Sequence, residues 1–253
     1  MQAASIMTEA SPIADLDAAL AATGDLARRI GLIRAAIPGR IAFSTSLGLE
    51  DQAVLHAISA SRADIDIFTL DTGRHFPETL ETVAASEARY GVKIRLVAPE
   101  AQDVEALTSR DGVLGFRNSI EARKACCDIR KVRPLTRALA GATGWITGLR
   151  REQAASRTAI AFAAFDPATK LVKLNPIADW TLAQTESFIG EYGVPVNPLH
   201  ARGFPSIGCA PCTRAIKPGE DIRAGRWWWE QEANDGIAQK ECGLHVASTE
   251  ARA

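Results

Sequence analysis

The stretch IAFSTSLGLED, residues 41–51, decides the fold. Its apolar start predicts a buried strand over residues 41–46 that runs into a polar turn, and residues 48–59 predict the helix that follows. A strand that passes through a short turn into a helix is typical of parallel α/β sheets. Ligands of such sheets bind at the carboxyl ends of the strands, which is where the serines of this turn lie.

Further units of the same kind follow along the chain. We therefore expect an α/β fold with a mostly parallel twisted sheet and flanking helices, preceded by one N-terminal helix or by a pair broken near Gly24. We expect a single α/β domain over residues 1–235 and a mobile C-terminal tail over residues 236–253. The predicted strands are 65–71, 93–99 and 144–150, and the predicted helices are 15–36, 77–90 and 101–109.

The composition is that of a globular protein, with 253 residues, of which 47% are hydrophobic and 23% charged. A net charge of -1 argues against general attraction to nucleic acid or to an anionic membrane. No apolar run reaches the roughly 20 residues of a membrane helix. The N-terminus has acidic residues and no basic region before an apolar core, unlike a secretory signal. We expect a cytoplasmic, reducing setting.

Five cysteines in such a setting should be free, metal-bound or catalytic rather than paired in structural disulfides. Cys126 and Cys127 are adjacent, Cys209 and Cys212 form a CxxC, and Cys242 stands alone near the C-terminus. Together the two pairs supply the four thiolates of a zinc site or of a [4Fe–4S] cluster, and ligand type alone leaves both open. The alternative is a pair of buried thiols and a separate redox dithiol.

Cations surround both cysteine pairs. If one metal centre joins the pairs, the cations form a positive pocket for an anionic substrate, whereas the alternative for each run is a solvated helix face. These residues are Arg123, Lys124, Arg130, Lys131 and Arg133 near the first pair, and Arg214, Lys217, Arg223 and Arg226 after the second.

Seven motifs together resemble the assimilatory adenylyl-sulfate reductases, the cluster-containing branch of the phosphosulfate reductase family. The motifs are STSLGLED, LDTGRHFPET, KACCDIRKVRPL, TGLRREQAASR, GCAPCTR, GEDIRAGRWWWE and ECGLH, in uninterrupted order from about residue 41 to residue 245. The resemblance implies an adenine nucleotide alpha-hydrolase-like (PP-loop-like) fold. It also implies a [4Fe–4S] cluster on Cys126, Cys127, Cys209 and Cys212, and is compatible with a homo-oligomer.

The activity that the resemblance implies is thioredoxin-dependent reduction of adenosine 5'-phosphosulfate to sulfite and AMP, in sulfate assimilation and cysteine biosynthesis. Cys242 is the implied nucleophile, because a thiolate suits attack on sulfur and forms an S-sulfocysteine that a thioredoxin thiol can release as sulfite. His245 lies three residues further on and would hold the thiolate or shape the site. We expect Lys131 to link cluster and substrate.

The resemblance also implies a set of substrate contacts. Ser44, Ser46 and Gly48 belong to a turn like the PP-loop of ATP pyrophosphatases, but Thr45 and Leu47 inside it depart from the glycine-rich form and argue against ATP cleavage. The remaining expected contacts are Leu70, Asp71, Gly73 and Arg74 in the nucleotide-pocket segment, Arg150 and Arg157 after the last strand, and Arg223 and Arg226 with Lys131 at the phosphosulfate.

Three other functions stay open at this point. The first is a reductase for the 3'-phosphorylated nucleotide, or for both nucleotides. The second is an ATP-dependent sulfur-transfer enzyme with a structural zinc. The third is a metal-binding interaction module with Trp227, Trp228 and Trp229 as its contact patch. For the reductase, we hypothesise that the cluster orders the Lys131 helix and tunes electrostatics, since the two thiols of thioredoxin already supply the two electrons.

Overall fold

The computed structural model describes residues 10–153 and 157–230 of the chain. Within these ranges no helix has the length and apolar character needed to cross a membrane. The helices are α1 Ala10–Ala21, α2 Leu26–Ala36, α3 Leu49–Ser61, α4 Pro77–Tyr90, α5 Ala101–Asp111, α6 Ile120–Cys127, α7 Arg133–Leu139 and α8 Leu182–Tyr192. The strands are β1 Ile41–Ser44, β2 Asp66–Leu70, β3 Arg95–Val97, β4 Gly144–Ile146, β5 Ala163–Asp166 and β6 Leu171–Leu174.

The six strands form one sheet in the order β3-β2-β1-β4-β6-β5. β1 pairs in parallel with β2 and with β4, and β4 pairs in parallel with β6. Among the described strands, β5 is the antiparallel edge strand and pairs with β6. The prediction of a mostly parallel sheet flanked by helices is confirmed.

The N-terminal region is a helix pair rather than one helix. α1 ends at Ala21 and α2 begins at Leu26, with Gly24 between them. The Asp25 side chain accepts a hydrogen bond of 3.0 Å from the Arg28 backbone N–H and so caps α2. Behind the pair, the buried guanidinium of Arg29 makes two hydrogen bonds, of 2.7 and 2.8 Å, to the carboxylate of Asp179.

The chain divides into two compact units. The first, called here the core unit, comprises Met1–Phe68, Ala85–Ile94 and Leu139–Pro195. Phe43, Trp145 and Ile146 are fully buried in its apolar core. The second, called here the thiol unit, comprises Thr69–Ala84, Arg95–Ala138 and Val196–Ala253. The thiol unit contains α5 to α7 and residues 196–230, a described segment of short 3₁₀ turns and loops.

Candidate active site

Helix α6 and the turn after it carry the first cysteine pair. The Ser119 hydroxyl caps the helix by accepting a hydrogen bond of 3.1 Å from the Ala122 N–H. The helix continues as a π-helical turn, Asp128–Val132, a form that is frequent at functional sites. Five residues at positions i, i+3, i+4, i+7 and i+8 share one face of this segment and line one cavity of the thiol unit. These are Arg123, Cys126, Cys127, Arg130 and Lys131.

The second cysteine pair lies on a single 3₁₀ turn and lines the same cavity. Cys212 N–H donates to the Cys209 carbonyl at 2.9 Å, which closes the turn. The turn is attached to the segment after β2, because Ala210 N–H donates to the Arg74 carbonyl at 2.8 Å. Phe116 and Trp227 complete the apolar part of the cavity wall.

The donor set of the cavity suits a metal cluster. All four cysteine side chains line one space. In residues 10–153 and 157–230, no three His, Cys, Asp or Glu side chains are grouped to hold a single metal ion. A lone zinc ion needs four sulfurs within about 2.3 Å of itself, whereas a cube of four irons and four sulfides holds its cysteines further apart. Four cysteine side chains around one cavity are the donor set that a centre with four thiolate ligands requires.

Burial and neighbouring charges shift the pKa values of these thiols in different directions. Burial raises the pKa of the Cys126 thiol, and burial with the negative charge of Cys209 raises that of Cys212 to about 12. Burial would also raise the pKa of Cys209, but the Lys131 ammonium, the Thr72 hydroxyl 3.3 Å from its sulfur and the cations of Arg226 and Arg74 together lower it. A coordinating metal deprotonates such thiols outright.

Cations of the thiol unit are held against the cavity wall. The Arg130 guanidinium donates to the Thr72 carbonyl at 2.7 Å. The Arg74 guanidinium lies 4.9 Å from the centre of the Phe116 ring and donates to the Val113 carbonyl at 2.7 Å. These contacts fix two positive groups beside the thiols, which favours binding of an anion there.

A second polar cluster lies in the core unit, in the turn between β1 and α3. Both the N–H and the hydroxyl of Ser46 donate to the Asp51 carboxylate, each at 2.6 Å. The Ser44 hydroxyl accepts a hydrogen bond of 2.8 Å from the Trp145 indole N–H. Leu47 has a left-handed backbone with φ of 62°. A glycine, as found in glycine-rich loops, would adopt this conformation without steric cost. The backbone N–H and the hydroxyl of Ser46 are therefore both hydrogen-bonded to Asp51 in this structure.

An arginine network joins that turn to the loop after β4. The buried Arg150 side chain donates to Glu50 at 2.8 Å and to Glu152 at 2.9 Å. Gln153 bridges the network to Arg157, since its side-chain amide donates to Glu50 at 3.0 Å and its carbonyl accepts from Arg157 at 2.7 Å. Arg150 thus pairs with two glutamates inside the core unit, and Arg157 is connected to them through Gln153.

The expected site residues fall into two groups. Leu70, Asp71, Gly73, Arg74, Lys131, Arg223, Arg226 and the four cysteines of the two pairs belong to the thiol unit, and Ser44, Ser46, Gly48, Arg150 and Arg157 belong to the core unit. Cys242 and His245, and the rest of the expected tail, lie outside the described residues.

Sequence reasoning missed the partners of these groups. Asp51, Glu50 and Gln153 lie within the quoted motifs, and an acid two or three residues after a polar turn is the local signal that points to Glu50 and Asp51. Glu230, which pairs with Arg123, gave no such signal, since 107 residues separate the two. The tryptophan patch of the third alternative is only partly exposed, because Trp227 is fully buried.

Comparison with known proteins places this site in a family. The model of the phosphoadenosine phosphosulfate reductase domain matches residues 40–215. A protein from Agrobacterium fabrum named adenosine 5'-phosphosulfate reductase is 52% identical over 94% of this chain and 88% of its own length. A protein of the same name from Rhizobium meliloti is 51% identical over 88% of this chain and 82% of its own length.

The fold agrees with a solved structure. The phosphate complex of phosphoadenylyl-sulfate reductase from Candida auris aligns with a TM-score of 0.68, covering 82% of this chain and 98% of that protein, at 23% identity. At that identity the likeness bears on the fold alone, whereas the family match and the two relatives bear on descent. The chain therefore belongs to the phosphoadenosine phosphosulfate reductase family, on the branch of relatives named adenosine 5'-phosphosulfate reductase.

Proposed function

We propose that this protein reduces adenosine 5'-phosphosulfate to sulfite and AMP, with a thioredoxin-type dithiol protein as reductant. The observation that carries the proposal is the shared cavity, where two sequence-distant cysteine pairs meet Arg74, Arg130 and Lys131. Relatives at 51 and 52% identity named for this reaction support the choice of substrate.

The first step is attack by the Cys242 thiolate on the sulfuryl sulfur. The new S–S bond forms as the bond between that sulfur and the bridging oxygen breaks, and AMP leaves with the electron pair. The leaving phosphate gains negative charge in the transition state, and fixed cations stabilise it. We assign that role to Lys131, Arg226 and Arg74 of the thiol unit, whereas Arg157 remains an expected contact for substrate binding.

The second step releases the product. A thiolate of the reductant attacks the Cys242 sulfur of the S-sulfocysteine, and sulfite departs with the electron pair of the S–S bond. The second thiol of the reductant then resolves the mixed disulfide, so that the reductant is oxidised by two electrons and Cys242 returns as a thiol. This chemistry requires a reducing compartment, in keeping with a cytoplasmic location.

Cys126, Cys127, Cys209 and Cys212 would hold a [4Fe–4S] cluster. When bound, this group supplies a fixed charge centre that orders the segment bearing Lys131. The electrons for sulfite formation come from the dithiol protein, so no step requires the cluster to change its oxidation state.

Anaerobic incubation with ³⁵S-labelled adenosine 5'-phosphosulfate, without reductant, tests the proposal. We expect label to remain covalently on the wild-type protein and to be absent from Cys242→Ser, which should retain its iron and sulfide. Addition of reduced thioredoxin should release the label as sulfite. Sulfite release by Cys242→Ser at the wild-type rate would contradict the proposed reaction. The same assay with the 3'-phosphorylated nucleotide decides between the two substrates.

A further inference from the structure

Arg226 is held in place by a stack of side chains in the thiol unit. Its guanidinium carbon lies 4.7 Å from the centre of the Trp227 ring, and that of Arg123 lies 4.5 Å from the same centre. The Trp227 side chain is only 1% exposed, and such desolvated cation–π contacts are stronger than exposed ones. One indole ring therefore packs against both guanidinium groups.

The far end of the stack is a buried ion pair. Arg123 Nε donates to the Glu230 carboxylate, and the side chains are 1% and 5% exposed. Removing one member of a buried pair leaves an uncompensated charge, which makes such a pair costly to break. Glu230 thus fixes Arg123, and through Arg123 it fixes the position of the Trp227 ring.

The Arg226 guanidinium also packs closely against the backbone of Gly208. A methyl group at Gly208 would overlap the Arg226 guanidinium, so a larger residue there would push the guanidinium out of this position. Gly208 immediately precedes Cys209, and Trp227 N–H donates to the Cys212 carbonyl at 3.2 Å. The guanidinium of Arg226 is therefore packed beside the CxxC turn.

The backbone of this segment supports the same interpretation. Trp227 has a φ of 44°, in the left-handed region that a bulky side chain rarely adopts. Such strain persists where surrounding contacts compensate for it, and it is concentrated at functional sites. Here the compensating contacts are the two guanidinium groups on the ring and the hydrogen bond to Cys212.

We propose that Glu230, Arg123, Trp227 and Gly208 are positioning residues that hold the Arg226 guanidinium ready for the sulfuryl end of the substrate. Arg123 lies on α6 with Cys126 and Cys127. In this proposal the position of Arg226 therefore depends on α6 being in place. The inference rests on the proposed function, and it assigns to four residues a role that acts through Arg226.

Binding measured without turnover tests the inference. In a Cys242→Ser background, equilibrium dialysis gives the Kd of adenosine 5'-phosphosulfate and of AMP, which lacks the sulfuryl group. We expect Glu230→Gln and Gly208→Ala each to raise the Kd of the phosphosulfate roughly tenfold, as for one displaced charge-assisted hydrogen bond, and to leave the Kd of AMP unchanged. Glu78→Gln, which breaks the exposed ion pair with Arg202, is the matched control and should alter neither Kd.

A double-mutant cycle separates positioning from general damage. If Glu230 acts through Arg226, Glu230→Gln should cause no further loss in an Arg226→Ala background. Additive losses in the double variant, or equal losses for AMP and the phosphosulfate, would overturn the inference. Gly208→Ala leaves both charges of the ion pair intact and answers the same question if Glu230→Gln does not fold. No binding of the phosphosulfate by Cys242→Ser alone would instead contradict the proposed function.

Discussion

The carboxylate of Asp51 accepts two hydrogen bonds of 2.6 Å from Ser46, one from the backbone N–H and one from the hydroxyl. Burial nevertheless raises the pKa of Asp51 from 3.8 to about 6, and the neighbouring charge of Glu50 adds to the rise. The folded protein therefore binds this proton more tightly than the unfolded chain does. The free energy of unfolding should fall as pH rises through the window from about 4 to about 6.

Asp51→Asn should remove this titration. A shift of about 2 pH units corresponds to about 3 kcal/mol, so the stability of the wild type relative to Asp51→Asn should fall by that order between about pH 4 and pH 7. Urea unfolding of both proteins across this range measures the difference, and acid effects on the rest of the chain cancel. Parallel stability curves for the two proteins would rule out the raised pKa.

Gly148→Ala should destabilise the core unit. A methyl group at this position would overlap the Asp51 carboxylate, so either the turn or the loop after β4 must shift. We expect a loss of about 1–3 kcal/mol in the free energy of unfolding, as for other overpacked sites. Gly31→Ala in α2 is the control, because nothing lies within 4 Å of the added methyl group and the change should stabilise by about 1 kcal/mol. Equal effects of the two changes would contradict the close approach.

Gln153→Ala should weaken substrate binding more than catalysis. The Gln153 side chain bridges Arg157 and Glu50, and without it the Arg157 guanidinium loses a hydrogen bond of 2.7 Å that orients it. We expect a KM for the phosphosulfate raised roughly tenfold with kcat within about twofold, the pattern of lost uniform binding. Steady-state kinetics measures both constants.

A cap variant in the same unit controls for lost stability. Gln184→Ala removes one half of the capping box of α8, in which Thr181 is the other half, and should cost about 1 kcal/mol of stability. Its KM should stay at the wild-type value. A similar rise in KM for both variants would mean that Gln153 acts through stability alone.

The strand–turn–helix unit at residues 41–51 could be predicted because its signal is local. The apolar run, the polar turn and the helix follow one another within the stretch, and β1 and α3 appear there. By contrast, β5 and β6 are only four residues each and have too little periodicity to be recognised. The predicted strand over residues 144–150 ends at Ile146, and the hydroxyl of the next residue, Thr147, donates to the Asn175 side-chain oxygen at 2.7 Å.

The buried charges of the site could not be predicted from one sequence. Arg150 pairs with Glu50 across 100 residues, and Arg123 pairs with Glu230 across 107. Nothing in a local pattern distinguishes such an arginine from one on a solvated helix face or from a substrate contact. The cysteines were predictable because their chemistry restricts them, and four thiolates near cations have few structural uses.

Replacing any one of the four cysteines of the two pairs by serine should abolish the iron content of the protein. The four thiols line one cavity, and a [4Fe–4S] cluster needs all four as ligands. We expect about four iron and four sulfide per chain in anaerobically purified wild type, and near-background values in Cys126→Ser and Cys209→Ser. Cys242→Ser is the matched control, because it removes a cysteine outside the set and should retain full iron. One zinc and no iron in the wild type, or full iron in Cys209→Ser, would contradict a cluster held by the two pairs.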